Sequence, residues 1–251
     1  MVVIGIDVGG SSIKGAPVDV TSGALAVPLD AVPTPTPSTP AAVAGAIASL
    51  VARLPSTGPI GIAVPSVVKR GVTQTAANVD GSWIGANVET LTSELLGRTA
   101  VLLNDADAAG IAEMRLGAGR GERGVVLLLT FGTGIGSALF VDGQLLPNTE
   151  LGHLALGGRE VEHFASGRVR TEERLDWPQW AERVNMVLAE FERLFWPDLF
   201  ILGGGVTECY EQFASLLRAR ARVVPAHFRA QAGVVGAALA AAESLSHGGS
   251  A

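Results

Sequence analysis

Cysteine occurs once in this chain, at Cys209, and lysine only twice, at Lys14 and Lys69. A single thiol excludes an intramolecular disulfide and any zinc site built on several cysteines, so Cys209 is expected as a buried, inert side chain. Charged residues make up 17% of the chain and balance to −6, which excludes the broad cationic surface of a nonspecific nucleic-acid binder. A local basic groove for a polyanion is still compatible with that balance. No apolar run is long enough to cross a bilayer, and the N-terminus enters a strand without a leader pattern. The expectation is a cytoplasmic protein with neither nucleic acid nor membrane as partner. Aromatics are scarce at 5%, and Trp177, Trp180 and Trp196 read as core or interface residues of a long helix rather than base-stacking groups.

What the chain does have is glycine in two similar settings. Ile4–Val8 runs into Gly9-Gly10-Ser11 and then Ser12–Lys14; Val125–Thr130 runs into Phe131-Gly132-Thr133-Gly134 and then Ile135–Ser137. Each is an apolar β-rich run, a glycine loop with small hydroxyls, and a second strand. Such loops turn tightly and leave N–H groups for phosphate oxygens. Neither fits a Walker loop, because Gly15-Ala16 follows Lys14, nor a dinucleotide fingerprint, because a strand and not a helix follows the glycines. Two phosphate loops in one chain point to a phosphotransferase or a nucleotide switch.

At 251 residues, nearly half of them apolar, the chain can form one large domain or two lobes. Val2–Asp7 and Ser12–Val18 predict a hairpin, with another strand over 24–29. Thr39-Pro40 predicts the cap and first residue of a helix reaching Leu54. Strands are expected at 60–64, 101–103, 137–141, 144–146 and 199–202. Helices are expected at 88–96, stopped by Gly97, and at 106–116, 177–194, 212–222 and 232–244. Strand–helix alternation in both halves predicts an α/β protein of two similarly built lobes with a central cleft. The expected division is a small N-terminal lobe over 1–103, joined by a C-terminal helix at about 232–247, and a large lobe over 104–231.

Candidate chemistry gathers at strand ends. Asp105 follows an apolar strand and opens a helix, where a carboxylate can take a proton from an attacking hydroxyl or simply cap the helix. Asp107 is the other candidate cap. Glu150 and His153, three apart, would share a face and bracket sugar hydroxyls; a metal site of Glu150, His153, Glu162 and His163 is the alternative. Asp7 can hold Mg²⁺ through water and Lys14 can neutralise phosphate charge. Arg218, Arg220 and Arg222 read as a solvated helix end.

In combination, Asp7-Val8-Gly9-Gly10, Asn104-Asp105-Ala106-Asp107, Thr130–Gly136 and Glu150-Leu151-Gly152-His153 resemble the ROK sugar kinases. Within that family the polyphosphate glucokinase branch is the most similar, through 9–18, 75–84, 131–140, 147–154, 196–206 and 232–238. The resemblance covers essentially the whole chain. It implies an actin-like ATPase (ribonuclease H-like) fold, Mg²⁺ as cofactor, and phosphoryl transfer from polyphosphate and/or ATP to the 6-hydroxyl of glucose. An ATP-only hexokinase and a non-catalytic sugar sensor are the alternatives; a sensor of the repressor type would carry an N-terminal DNA-binding extension, and the first strand here begins by residue 4.

By the same resemblance Asp105 is the catalytic base and, with Asn78, Asn104, Glu150, His153 and Glu162, a sugar ligand. Asp7, Gly9, Gly10, Ser11, Lys14, Thr133, Gly134, Gly204 and Gly205 attend the donor. A homodimer is implied, and no structural zinc, since residues 156–166 lack the cysteines many relatives carry there. Two departures stand out: Ser66 replaces a usual glycine, and Thr207-Glu208-Cys209 stands where basic residues are typical, which weakens the expected hold on a polyanion.

Overall fold

The computed structural model describes residues 1–247 of the chain. They divide into two compact units: Met1–Ala112 together with the stretch from Gln231 on, and Glu113–Ala230. The boundary falls inside a helix, nine residues past the expected 103/104 point, and the first unit is the larger in residues, not the smaller. The reason is packing: Gly236 of the C-terminal helix lies so close to Ala108 that an added Cβ would sit 1.6 Å from the Ala108 carbonyl oxygen. The first turns of that boundary helix therefore belong to the first unit.

In the first unit, β1 (Val2–Val8), β2 (Ser12–Asp19), β3 (Asp30–Pro33) and β4 (Ile60–Val64) precede two short strands, β5 (Val68–Lys69) and β6 (Val72–Thr73), and then β7 (Ala100–Asn104). The main sheet runs β3-β2-β1-β4-β7, antiparallel at the β1–β2 hairpin and parallel from β1 through β4 to β7. Parallel neighbours need crossovers, supplied by α1 (Pro40–Val51) and α2 (Val88–Leu96). Thr39 caps α1, its hydroxyl accepting the Ala42 N–H, and Gly97 ends α2 at φ 60°.

Strand alternation explains the layers. Ile4, Ile6 and Val8 face a core shared with Val43, Ile47 and Leu50 of α1, each buried side chain contributing about 1.5–3 kcal/mol. The odd positions Gly5 and Asp7 lie under the C-terminal helix Ala232–His247, against Val234 and Gly233. Asp7 is thus brought into a covered layer by the period of its strand.

The expected strand at 24–29 does not form; only a bridge between Val18 and Leu25 is made there. Pro28 cannot donate to a ladder, and pairing with β2 begins at Asp30.

In the second unit, β8 (Val125–Phe131), β9 (Ile135–Val141), β10 (Gln144–Leu146), β13 (Leu199–Gly203) and β14 (Arg222–Pro225) form the sheet β10-β9-β8-β13-β14. Between β10 and β13 come a hairpin of β11 (Ala155–Leu156) with β12 (Arg159–Glu160), and the helices α4 (Glu162–Ala165), α5 (Gly167–Glu172) and α6 (Trp177–Phe195). α3 (Asp105–Leu116) is the helix that contains the unit boundary. The capping box of Asp176 and Gln179 starts α6, whose Trp180, Val184, Val187, Leu188 and Phe191 are buried against Leu127, Leu129, Phe200 and Leu202.

Several expectations fail here. Residues 212–222 form no helix: 3₁₀ turns occupy Gly205–Gln212 and Ala214–Leu216, and the chain then extends into β14. Tertiary partners take the backbone groups a helix would use, for Glu192 accepts the N–H groups of Arg220 and Ala221 while Asn185 bonds Leu216 and Arg218. Trp196 is not core either; it ends α6 in a left-handed conformation, 69% exposed, with the Arg220 guanidinium 4.0 Å above its ring. Arg220 and Arg222 pair with Glu192 and Glu122 instead of forming a solvated helix end. Cys209 is half-buried rather than buried. No helix among the described residues is long and apolar enough to cross a membrane.

Candidate active site

In the first unit the glycine turn between β1 and β2 is closed by Gly9, whose N–H donates to the Ser12 carbonyl at 3.0 Å while its own carbonyl accepts from Thr34 Oγ1 at 2.6 Å. Gly9 therefore shapes the loop, and the N–H groups of Gly10 and Ser11 are left without a protein acceptor among the described residues. Asn78 sits beside this loop, its Cβ 3.9 Å from where a Cβ on Gly10 would lie, and its backbone is left-handed at φ 60°.

Asp7 stands across the hairpin from Lys14. Burial raises the Asp7 pKa and the charge of Lys14 opposes that rise. Its carboxylate accepts no hydrogen bond from the described residues, so a hard cation or its water shell fits this donor set.

At the end of β7, Asn104 is buried and caps α3, its Oδ1 accepting the N–H groups of Ala106 and Asp107 at 2.9 and 3.1 Å. Asp105, half-buried at the first position of the helix, also accepts the Ala106 N–H on its own Oδ1, at 2.8 Å. Asn104 Nδ2 donates to the Ser66 carbonyl at 3.3 Å. Ser66, the departure from glycine, is 2% exposed and its hydroxyl donates to the Thr75 carbonyl at 2.7 Å, so the serine ties the loop under Asn104 instead of distorting it.

In the second unit the loop between β8 and β9 is held from several sides. Gly204, at φ 83°, lies against Phe131 so closely that a Cβ would come 2.4 Å from the Phe131 carbonyl oxygen. The Gly132 carbonyl accepts the Arg168 N–H at the start of α5, at 2.9 Å. A Cβ on Gly134 would meet Glu162 Oε2 at 2.4 Å, so the carboxylate of Glu162 lies directly on the loop. The N–H groups of Thr133 and Gly134 have no protein acceptor among the described residues, and Gly205 has open space around it. Glu208 is exposed just beyond.

The Glu150–His153 segment forms a 3₁₀ turn, pinned by Ser137 of β9: Ser137 Oγ donates to the Thr149 carbonyl at 2.6 Å and accepts the Leu151 N–H at 3.0 Å. His153 Nε2 lies 3.7 Å from Glu150 and its Nδ1 3.9 Å from Glu162, so the three expected sugar ligands of this unit meet. Burial raises the Glu150 pKa, with Glu162 adding to the rise and His153 opposing it. Glu162 rides on the single-turn α4, which Trp180 and Arg183 anchor by donating to the carbonyls of Ala165 and Phe164.

The alternative metal reading changes membership. His153, Glu160 and Glu162 bring ligand-type atoms within 4.8 Å, while Glu150 and His163 fall outside that group. All of these atoms are nitrogen or oxygen and already joined by a hydrogen bond and ion pairs, which suits hydroxyl recognition.

Residues 3–174 match the ROK family. The chain belongs to that family. A polyphosphate glucokinase of Mycobacterium tuberculosis (strain CDC 1551 / Oshkosh) is 50% identical over 97% of this chain and 92% of its own length. The crystal structure of an inorganic polyphosphate/ATP-glucomannokinase from Arthrobacter sp. strain KM superposes with a TM-score of 0.93 at 44% identity, covering 97% of this chain and 99% of that one. A ROK family glucokinase from Streptomyces griseus, solved with glucose and AMPPNP, gives 0.83 at 25% identity, covering 97% and 100%. The ROK chain described here accordingly has the actin-like two-domain ATPase fold.

Two residues placed against the site of this ROK chain escape the sequence reading. Ser137 reads as an ordinary strand residue, and only its ladder position shows the segment it pins. Glu160 has one local signal: Gly157-Gly158, both left-handed, turn the chain back so that Glu160 pairs with Ala155, close to His153.

Proposed function

We propose that this chain is a glucokinase, transferring the terminal phosphoryl group of inorganic polyphosphate and/or ATP to the 6-hydroxyl of glucose. The observation that carries the reading is Glu162, whose carboxylate meets His153 on one side and lies on Gly134 on the other. Hydroxyl-binding groups and a loop with open N–H donors are thus one continuous piece of chain. The activities named for the M. tuberculosis and Arthrobacter relatives support the same reading.

In this reading Asp105 accepts the 6-hydroxyl proton as the oxygen attacks phosphorus. Glu150, His153, Glu162, Asn104 and Asn78 hold sugar hydroxyls. The N–H groups of Gly10, Ser11, Thr133 and Gly134 receive donor oxygens, Gly9, Gly204 and Gly205 shape the donor path, and Lys14 supplies positive charge. Asp7 would hold Mg²⁺ through water, and the ion, when bound, neutralises phosphate charge. Positioning supplies most of the acceleration, with the base adding about 10²–10⁴-fold. A homodimer in the cytoplasm belongs to the same proposal.

Exposed Glu208 beyond Gly204-Gly205 favours ATP over a polyanionic chain, which makes the ATP-only hexokinase the second reading. Glucose phosphorylation by purified protein with Mg²⁺, polyphosphate beside ATP, separates the two. Turnover with polyphosphate supports the first, turnover with ATP alone the second. Glucose binding without turnover from either donor would replace both with a sugar sensor.

A further inference from the structure

His153 makes its shortest polar contact with a residue that the sugar-binding reading leaves without a role. Its Nδ1 lies 3.0 Å from Glu160 Oε2, closer than to any other carboxylate around the ring. A carboxylate accepts only, so the Nδ1 atom must carry the proton and donate it. The ring's other nitrogen, Nε2, is then the one directed toward Glu150, at 3.7 Å. We propose that Glu160 is a positioning residue for substrate recognition: by accepting the Nδ1–H of His153 it fixes the imidazole's tautomer and rotation, so that Nε2 presents to a hexose hydroxyl beside Glu150. The inference rests on the sugar-kinase reading for the identity of the hydroxyl, but the Glu160–His153 coupling does not.

Three features of the chain support a built device over a chance surface pair. Glu160 is delivered by a turn of two left-handed glycines, and its neighbour Val161 is fully buried, which sets the backbone from which Glu160 and Glu162 both project. The Val161 N–H donates to the Leu154 carbonyl at 2.9 Å, locking the returning strand beside His153. Glu160 is also the centre of a wider set: His163 Nδ1 lies 3.8 Å from the same Oε2, and His163 Nε2 lies 3.5 Å from Glu162. The groups facing His153 are therefore Glu150, Glu160 and Glu162, with His163 behind the latter two. The hydrogen bond to Glu160 is the largest influence raising the His153 pKa, and it lowers that of Glu160 in turn.

A neutral imidazole held in this way offers Nε2 as an acceptor, and a protonated one offers it as a donor; a sugar hydroxyl can answer either. Without Glu160 the ring can flip and exchange tautomers, and each productive encounter must first find the right one.

The test uses the full chain with Glu160→Gln, Glu160→Ala and Glu160→Asp. Steady-state kinetics with glucose are paired with ¹⁵N NMR of the histidine ring nitrogens, His153 being assigned through His153→Asn. Glu160→Ala is expected to raise the glucose KM about tenfold with a smaller change in kcat, as suits loss of a charge-assisted hydrogen bond. Glu160→Gln is expected to shift the His153 titration midpoint downward, and Glu160→Asp to recover part of both properties. A purely structural role would lower thermal stability without moving the His153 midpoint. An unchanged KM in Glu160→Ala together with an unchanged midpoint in Glu160→Gln overturns the proposal. If the parent protein fails to phosphorylate any hexose, the kinase reading falls while the NMR midpoint still decides the coupling.

Discussion

The two glycine loops of this chain follow the same local pattern and are built to opposite tolerances. The loop after β1 closes mainly on itself, through Gly9, with Thr34 as its one side-chain tie and Asn78 as a loose neighbour. The loop after β8 is wedged among Phe131, Gly204, Arg168 and Glu162. A strand–glycine–strand pattern thus specifies a turn with open N–H groups, but not how much of the surrounding unit depends on it. In the first unit the candidate carboxylates, Asp7 within β1 and Asp105 after β7, lie outside the loop. In the second, the Glu162 carboxylate lies on the loop itself.

Replacement of the proposed base gives the largest expected effect and tests whether chemistry and sugar recognition are separable. Asp105→Asn should lower kcat about 10²-fold or more while leaving glucose affinity largely intact. Near-normal turnover in that variant would remove Asp105 from the mechanism. Parallel loss of affinity would show that Asp105 itself also carries recognition.

An alanine series across the loops sharpens the contrast. Gly204→Ala places a methyl group against the Phe131 backbone at positive φ, and should cost about 2 kcal/mol or more, read by denaturant unfolding. Gly134→Ala meets only the end of the flexible Glu162 side chain, so stability should hold while glucose KM rises about tenfold as that carboxylate is displaced. Gly10→Ala meets nothing closer than Asn78, and stability should stay within about 0.5 kcal/mol. Equal losses in Gly10→Ala and Gly204→Ala would erase the asymmetry.

The smallest effect concerns pH and only the second unit. His153 has a raised pKa, chiefly through Glu160, so its pairing contributes stability in full below the ordinary imidazole value of 6.5 and loses it as pH rises through the raised value. Glu160 has a lowered pKa, so the same pairing is present above the ordinary 4.5 and is lost as pH falls through the lowered value. Both groups are well exposed, and a fall of only about a degree or two in Tm is expected on the alkaline side. His153→Asn should flatten that step; an unaltered pH profile in this variant would assign the step elsewhere.

Most strands and long helices were legible because their signals are local: Thr39-Pro40 opens α1, Gly97 ends α2, and alternating apolar residues mark β1. Asp7 stands out in the sequence because it leads into a glycine loop, and Glu150 because it lies three residues from His153. What stayed hidden depends on partners far along the chain. Residues 212–222 look helical until Glu192 and Asn185, 28 to 33 residues from their bonded partners, take their backbone groups. The capping role of Asn104, and the ties of Ser66 to Thr75 and Ser137 to Thr149, are likewise choices among near-equal polar neighbours that tertiary contact decides.

The C-terminal helix has a consequence for the order of synthesis. It covers Gly5, Asp7 and Gly61 from positions beyond residue 231, so the first unit's sheet lacks one covering layer until the second unit has been made. On a ribosome, β1, β4 and β7 emerge first and wait, one face open, while residues 113–230 can already fold as a unit with no such debt to the chain's far end. Of the two units, the one whose strands emerge earlier is completed later, and Asp7 acquires its cover only at that final step.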